Sequence, residues 1–177
     1  MNELDIIDGC RRKDIGAQRE LYDRFGATMF GICRRYVNDR ATAEDLLHDG
    51  FITVLTKIGE YRGEGSFEGW CRRIFVNTAL GHLRKKNPIA GSDNIDNLAG
   101  LGSGQAGALE KMSEAELIEM IAALPDGYRT ILNLYAVEGY SHREIAEMLG
   151  ISENTSRSQY FRARARLMEA IAALEPG

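Results

Sequence analysis

Apolar positions recur at three- and four-residue intervals along most of the chain. Leu21, Phe25, Met29, Ile32 and Tyr36 form one series, and Leu47, Phe51, Val54, Leu55 and Ile58 form the next. That interval gathers side chains on one face of a helix. Trp70, Ile74 and Leu83 continue the pattern, so the first part of the chain reads as a bundle of three or four helices. Turns fall at Asn38-Asp39 and across Gly59 to Gly65. The run Arg62-Gly63-Glu64-Gly65 breaks the period just before Ser66, and the position that would complete a capping box with that serine is Gly69.

Further on, Leu117, Ile118, Ile121 and Leu124 trace an amphipathic helix that stops at Pro125, and Ile131, Leu132 and Tyr135 begin another that ends near Gly139. Nothing resembles a strand pair. Between the two parts, Asn87 to Glu110 reads NPIAGSDNIDNLAGLGSGQAGALE, rich in Gly, Asn and Ser, with no basic residue and no sustained period. The expected fold is all-α: two small helical domains, residues 1–86 and 111–177, joined by a flexible linker over 87–110.

The second domain carries the most specific local signal. Ser141-His142-Arg143-Glu144 is a capping box, so a helix starts at His142. It turns Ile145, Ala146, Met148 and Leu149 inward and stops at Gly150, which tolerates a left-handed helix end. Ile151 plugs the corner and Ser152 caps the next helix. Two helices joined by a short glycine turn form a helix-turn-helix, whose second helix enters the DNA major groove. Spacing side chains 100° apart puts Ser156, Tyr160, Ala163 and Leu167 on its inner face. Asn154, Arg157, Ser158, Phe161 and Arg162 share the outer face, and Thr155 joins the candidates in the first turn.

Composition refines this picture. The 177 residues are 44% hydrophobic, ample for compact cores. No apolar run approaches the roughly 18 residues a membrane span needs. Met1 to Asp14 holds no apolar secretion segment, so a cytoplasmic protein without membrane insertion is expected. Cys10, Cys33 and Cys71 are far apart and make no C-x-x-C pair. They read as free, mostly buried thiols, and neither metal nor cofactor is implied.

A net charge of -4 argues against a protein that coats nucleic acid by itself, because such binding comes from Lys and Arg neutralising phosphates. Residues 1–86 hold 15 basic and 13 acidic side chains, and residues 111–177 hold 7 and 10. Yet Arg157, Arg162, Arg164 and Arg166 fall in a stretch with no acidic residue between Glu153 and Glu169. Arg can donate two bonds to guanine, Asn can pair with adenine and Phe can touch a thymine methyl, so the outer face suits direct readout. Arg164 and Arg166 suit phosphates. The plainer reading is a helical hairpin with a solvated arginine face.

In the first domain, SFEGWCRRIFVNTALGHLRKK interleaves Phe67, Trp70 and Phe75 with Arg72, Arg73, Arg84, Lys85 and Lys86. Single-stranded nucleic acid favours that mixture: freed bases stack on aromatics while cations hold the backbone. Trp70, Ile74 and Phe75 can equally be core.

The stretch LPDGYRTILNLYAVEGYSHREIAEMLGISENTSRSQYFRARARL resembles the fourth region of extracytoplasmic-function sigma factors, and AQRELYDRFGATMFGICRRYVNDRATAEDLLHDGF with YRGEGSFEGWCRRIFVNTALGHLRKK resembles their second region. The resemblance implies a subunit that directs RNA polymerase to promoters and is not itself an enzyme. It implies that Arg157, Ser158, Phe161 and Arg162 read the minus-35 element in duplex DNA, with Asn154, Thr155 and Arg164 as further candidate contacts to that element. It assigns minus-10 recognition and melting to Tyr61, Arg62, Ser66, Phe67, Trp70, Arg73, Asn77, Arg84 and Lys85, which would meet single-stranded promoter DNA. Asp45, Leu46, His48, Asp49 and Phe51 would dock on the clamp helices of the largest catalytic subunit of core RNA polymerase, with the flap as a further contact. An anti-sigma factor is implied as a regulatory partner.

Four positions depart from the family pattern. His48 and Asp49 replace a usual glutamine and glutamate, Gly81 replaces a frequent aspartate, and Ser156 stands where the family more often packs an apolar residue. Without the resemblance, Glu44, Asp45 and Asp49 read as a solvated acidic face. Two rivals remain: a stand-alone helix-turn-helix regulator, which predicts palindromic duplex binding without polymerase, and a nucleic-acid enzyme such as a recombinase. For the latter the sequence offers no paired acidic metal site or activated nucleophile.

Overall fold

The computed structural model describes residues 1–86 and 112–174, and the linker expected over 87–110 lies outside the described residues. Among the described residues every regular element is helical. The chain divides into two compact units, Met1–His82 and Leu83–Gly177, so the division falls in the last turns of one helix.

The first unit opens with a helix the apolar pattern did not reveal, α1 (Glu3–Arg11), started by a reciprocal cap between Asn2 and Asp5. It buries Ile6, Ile7 and Cys10. At Gly9 the helix meets α2 (Ile15–Tyr36) so closely that a side chain there would overlap the Cβ of Ala17. Asp14 caps α2 and Asp39 caps α3 (Arg40–Lys57), each accepting the amide three residues on at 2.8 and 3.0 Å. A single 3₁₀ turn, Ile58–Glu60, follows α3. The helix α4 (Phe67–Lys86) is capped by Ser66, whose Oγ accepts the Gly69 amide at 2.9 Å although Gly69 cannot return the bond.

Leu21, Phe25, Met29, Ile32 and Tyr36 of the expected α2 face are buried, as are Leu47, Phe51 and Val54 of α3 and Ile58 of the turn after it, whereas Leu55 is half-buried. On α4 the inward stripe is Phe67, Cys71, Phe75, Ala79 and Leu83 rather than the expected Trp70, Ile74 and Leu83. Aromatics on both sides of this helix make its period ambiguous, and packing resolves it. Gly50 of α3 leaves no room for a Cβ because the Phe75 ring occupies that space. Edge-on pairs Phe25–Phe67 and Phe51–Phe75, with centroids 5.7 and 5.1 Å apart, run through this core. Each such pair contributes about 0.5–1.5 kcal/mol beyond its buried area.

The second unit contains α5 (Glu114–Ala122), α6 (Asp126–Leu132), α7 (His142–Leu149) and α8 (Glu153–Ala172). Ser113 caps α5, and Pro125 separates it from α6. The last carbonyls of a helix lack partners within it. Here Arg129, only 4% exposed, donates to Ala122 O at 3.1 Å and Leu124 O at 2.7 Å and pairs with Asp126 at 2.7 Å.

Beyond α6 the backbone widens into a π-turn, Asn133–Val137, with Glu138 N–H bonding Asn133 O at 2.8 Å. The wider turn shifts the helical phase. Leu134 is wholly buried while Tyr135, expected to continue the apolar face, is 38% exposed. Gly139 then ends the segment with φ +81°.

Candidate nucleic-acid interface

The helix-turn-helix forms from its local signals. Ser141 and Glu144 exchange bonds of 3.1 Å in a complete capping box at the start of α7. Gly150 closes α7 in the left-handed region, φ 68° and ψ 34°, and the Ile151 amide bonds Ala146 O at 3.0 Å. Ser152 caps α8 through the Thr155 amide at 3.0 Å. Of the inward residues expected on α7, Ile145 is wholly buried, whereas Ala146, Met148 and Leu149 are half-buried.

On α8 the two expected faces separate. Ser156, Ala163 and Leu167 are buried and Tyr160 is half-buried. Asn154, Arg157, Phe161 and Arg164 are exposed, with Ser158 and Arg162 half-buried beside them. Phe161 leaves 39% of its surface open among the arginines. Thr155 is a correction: it is buried, and its hydroxyl lies 2.7 Å from Ser152 Oγ, so it belongs to the cap rather than to the outer face. Arg157 is engaged within its own helix, donating to Asn154 Oδ1 at 3.0 Å and pairing with Glu153.

The buried Ser156 hydroxyl lies 2.8 Å from Nδ1 of His142, the first residue of α7. Tyr135 stacks on the His142 ring at 4.2 Å and 8°, and Tyr160 packs 4.4 Å from Tyr135. Sequence reasoning missed this cluster, because the π-turn that exposes Tyr135 has no signature in the apolar pattern. Burial, and then Arg157, hold the His142 imidazole below its ordinary range, against a smaller opposite pull from Glu153.

In the first unit, Arg62, Gly63, Glu64, Gly65 and Ser66 form an exposed loop between the 3₁₀ turn and α4, with Gly63 and Gly65 at φ +80° and +74°. Tyr61 starts the loop from inside the core, 8% exposed. Phe67 is a second correction: with no exposed surface and rings packed on it from Phe25, Tyr61 and Trp70, it is a core residue. Trp70 is half-buried, its ring 5.8 Å from Phe67 and nearly parallel to it. Arg73, Asn77 and Arg84 are exposed at positions three, seven and fourteen residues beyond Trp70 along α4, and Lys85 is exposed beside Arg84. That spacing puts the first four on one face.

Along α3, Asp45, His48 and Asp49 are exposed together with Glu44. Leu46 and Phe51 point the other way, 3% and 8% exposed, which corrects their assignment to a docking face. Phe51 sits between Tyr22 at 5.2 Å and Phe75 at 5.1 Å. Two apolar residues the sequence reading passed over flank this face: Tyr22, 52% exposed, and Ile52, 50% exposed.

All three cysteines are free and buried. Burial pushes the Cys33 and Cys71 thiols up to about 12. Among the described residues no helix is long and apolar enough to cross a membrane.

The fold and the α7–α8 geometry define an all-helical protein with a DNA-binding type of helix-turn-helix. Comparison with known families matches sigma-70 region 2 to residues 21–89 and sigma-70 region 4 to residues 114–167, roughly two thirds of the chain together. The chain belongs to the sigma-70 family. It is 29% identical to the RNA polymerase sigma-H factor of Pseudomonas aeruginosa, over 97% of this chain and 95% of the relative. It is 28% identical to the ECF RNA polymerase sigma-E factor of Haemophilus influenzae, over 98% and 97% respectively. Its fold is similar to that of CnrH, solved in complex with the cytosolic domain of CnrY, with a TM-score of 0.53 at 21% identity over 96% of this chain and 97% of the other. It is also similar to the sigma factor RpoE of Bartonella quintana, solved with the anti-sigma factor NepR, with a TM-score of 0.54 at 18% identity over 89% and 98%.

Proposed function

We propose that this chain is an extracytoplasmic-function sigma factor that binds core RNA polymerase, recognises minus-35 and minus-10 promoter elements and assists DNA melting. The observation that carries this reading is the presence of both sigma-70 regions, 2 and 4, on one chain. A stand-alone regulator needs the helix-turn-helix but has no use for a second-region unit. The outer face of α8, with Asn154, Arg157, Ser158, Phe161, Arg162 and Arg164, is assigned to duplex readout in the major groove.

On α4 and the loop that precedes it, Arg62, Ser66, Trp70, Arg73, Asn77, Arg84 and Lys85 are assigned to the minus-10 strand. Trp70 is only half-buried, and exposed cations along the same helix suit a backbone. Asp45, His48 and Asp49 on α3, flanked by Tyr22 and Ile52, are assigned to polymerase docking. Opening a duplex breaks no covalent bond, so the reading calls for no catalytic residue and no cofactor. Held on polymerase, the protein acts in the cytoplasm, and an anti-sigma factor is its expected regulator. An overall charge of -4 suits a subunit that leaves much of its DNA affinity to its host, since two weak sites on one assembly raise each other's effective concentration.

The test is to mix the purified chain with core RNA polymerase from its source bacterium and sequence the transcripts initiated on genomic DNA. Discrete start sites sharing two spaced upstream elements are expected. Specific duplex binding without polymerase binding would instead identify a stand-alone regulator.

A further inference from the structure

The exposed loop Arg62–Ser66 is tied to a helix fifty residues earlier in the chain. Arg11, at the end of α1, donates from Nη2 to the Tyr61 carbonyl at 2.7 Å while its Nη1 pairs with Asp8 at 3.1 Å. The Tyr61 hydroxyl in turn donates to the Gly65 carbonyl at 2.8 Å, spanning the loop from within. The Tyr61 ring is fixed by Phe67 at 5.2 Å and Trp70 at 5.5 Å. Ser66 closes the far end by capping α4. The loop is thus fastened at its entry, across its span and at its exit, while a side chain added at Gly63 or Gly65 would meet nothing within 4 Å.

This pattern has a physical consequence. Two glycines at positive φ make a segment whose unfastened form would sample many conformations. A loop that had to be ordered on binding would lose that entropy at the moment of capture, whereas one ordered beforehand does not. The entry bond is the one supplied by a distant element, and it is charge-assisted, hence among the stronger hydrogen bonds. Helix α1 itself lies outside residues 21–89, which match sigma-70 region 2.

We infer that Arg11 is a positioning residue for promoter opening: through the Tyr61 carbonyl it holds the Arg62–Ser66 loop in the shape that receives an unpaired minus-10 base. The inference rests on the sigma-factor reading above and extends the promoter-opening device to α1. Arg11 need not touch DNA; it acts through Tyr61. Tyr61 has the matching role through its hydroxyl, which accounts for a side chain that is buried beside an exposed loop.

The experiment uses the full-length chain with core RNA polymerase on a promoter fragment recovered from the genomic transcription assay. It compares wild type with Arg11→Ala, Arg11→Lys, Tyr61→Phe and, as a neighbouring control, Arg12→Ala. Permanganate reactivity of unpaired thymines reports opening, and a panel of single-base minus-10 variants reports selectivity. Arg11→Ala and Tyr61→Phe are each expected to reduce opening about tenfold, the loss of one charge-assisted or part-buried bond, and to flatten discrimination among the minus-10 variants. Affinity for core polymerase and for the minus-35 duplex should stay within about twofold of wild type. Arg11→Lys should recover part of the opening, and Arg12→Ala should match wild type. Normal opening and selectivity in both Arg11→Ala and Tyr61→Phe would overturn the inference, as would a parallel loss of polymerase affinity, which would mark a general packing role. Failure of the wild-type protein to open any promoter with polymerase would instead overturn the sigma-factor reading itself.

Discussion

Ser156 is wholly buried beneath α8, and its hydroxyl meets Nδ1 of His142 at 2.8 Å, joining the first turn of α8 to the first residue of α7. An alanine here would leave the imidazole nitrogen without this partner. Ser156→Ala is expected to destabilise the second unit by about 1 kcal/mol, the net worth of an intramolecular hydrogen bond. In urea unfolding, His142→Ala combined with Ser156→Ala should lose less than the sum of the single changes. Strict additivity would show that the two residues do not act as a pair.

The same pair gives a pH dependence with a defined sign. The folded-state pKa of His142 is depressed, first by burial and then by Arg157, so the unfolded chain binds the proton more readily. Stability from this group is present above the unfolded value of about 6.5 and is lost as pH falls through that value toward the folded one. The groups facing the ring are Tyr135, Tyr160, Arg157 and Glu153. Between about pH 7.5 and about pH 5.5 the melting temperature of the wild type should therefore fall further than that of His142→Gln. Equal falls would remove His142 as the titrating group.

Glu153 competes for the arginine assigned to base readout, since Arg157 pairs with it and with Asn154 in the free chain. Both partners of the ion pair are about half exposed, so the attraction is screened and modest. Glu153→Gln is expected to raise affinity for minus-35 duplex DNA about two- to fivefold at low salt, with the gain shrinking as salt rises. Fluorescence anisotropy at two salt concentrations checks this, and weaker binding would mean that the ion pair orients Arg157 productively.

Gly50 and Phe75 test the α3–α4 contact. Because the Phe75 ring fills the space of a Cβ at Gly50, Gly50→Ala should destabilise the first unit by about 1–3 kcal/mol even though alanine favours helix. A compensating Gly50→Ala with Phe75→Leu should recover part of the loss in denaturant unfolding. A single substitution that stabilised the protein would contradict the close approach.

Arg129 closes the carbonyl end of α5 from inside the second unit. Replacing it with methionine keeps the apolar stem but leaves two carbonyls unpaired, at an expected cost of about 2–4 kcal/mol. Thermal unfolding of Arg129→Met measures it, and an unchanged midpoint would mean that solvent replaces the guanidinium without loss.

Much of this protein is legible in its sequence. The capping box at Ser141 and Glu144, the left-handed Gly150 and the cap at Ser152 are local devices, complete within a few residues, and each forms as its chemistry requires. The buried series on α2 and α3 was equally readable, because a helix whose apolar residues lie on one side has a single way to bury them. The outer face of α8 followed from the same periodicity.

Packing between helices settled what local pattern leaves degenerate. On α4, aromatics occupy more than one face; the close approach of Gly50 selected Phe75 for the core, packing against Phe25 and Tyr61 selected Phe67, and Trp70 was left half-buried. Leu46, Phe51 and Thr155 stand next to exposed neighbours in sequence yet turn inward, a distinction set by the partner helix or by the cap geometry. The π-turn that exposes Tyr135 and the bonds from Arg11 to Tyr61 and from Ser156 to His142 join residues with no shared period. Which helices form and which faces are apolar could be read from the chain alone, because both depend on neighbours within a turn or two. Which polar groups meet across the folded chain could not, because that depends on distances between segments remote in sequence.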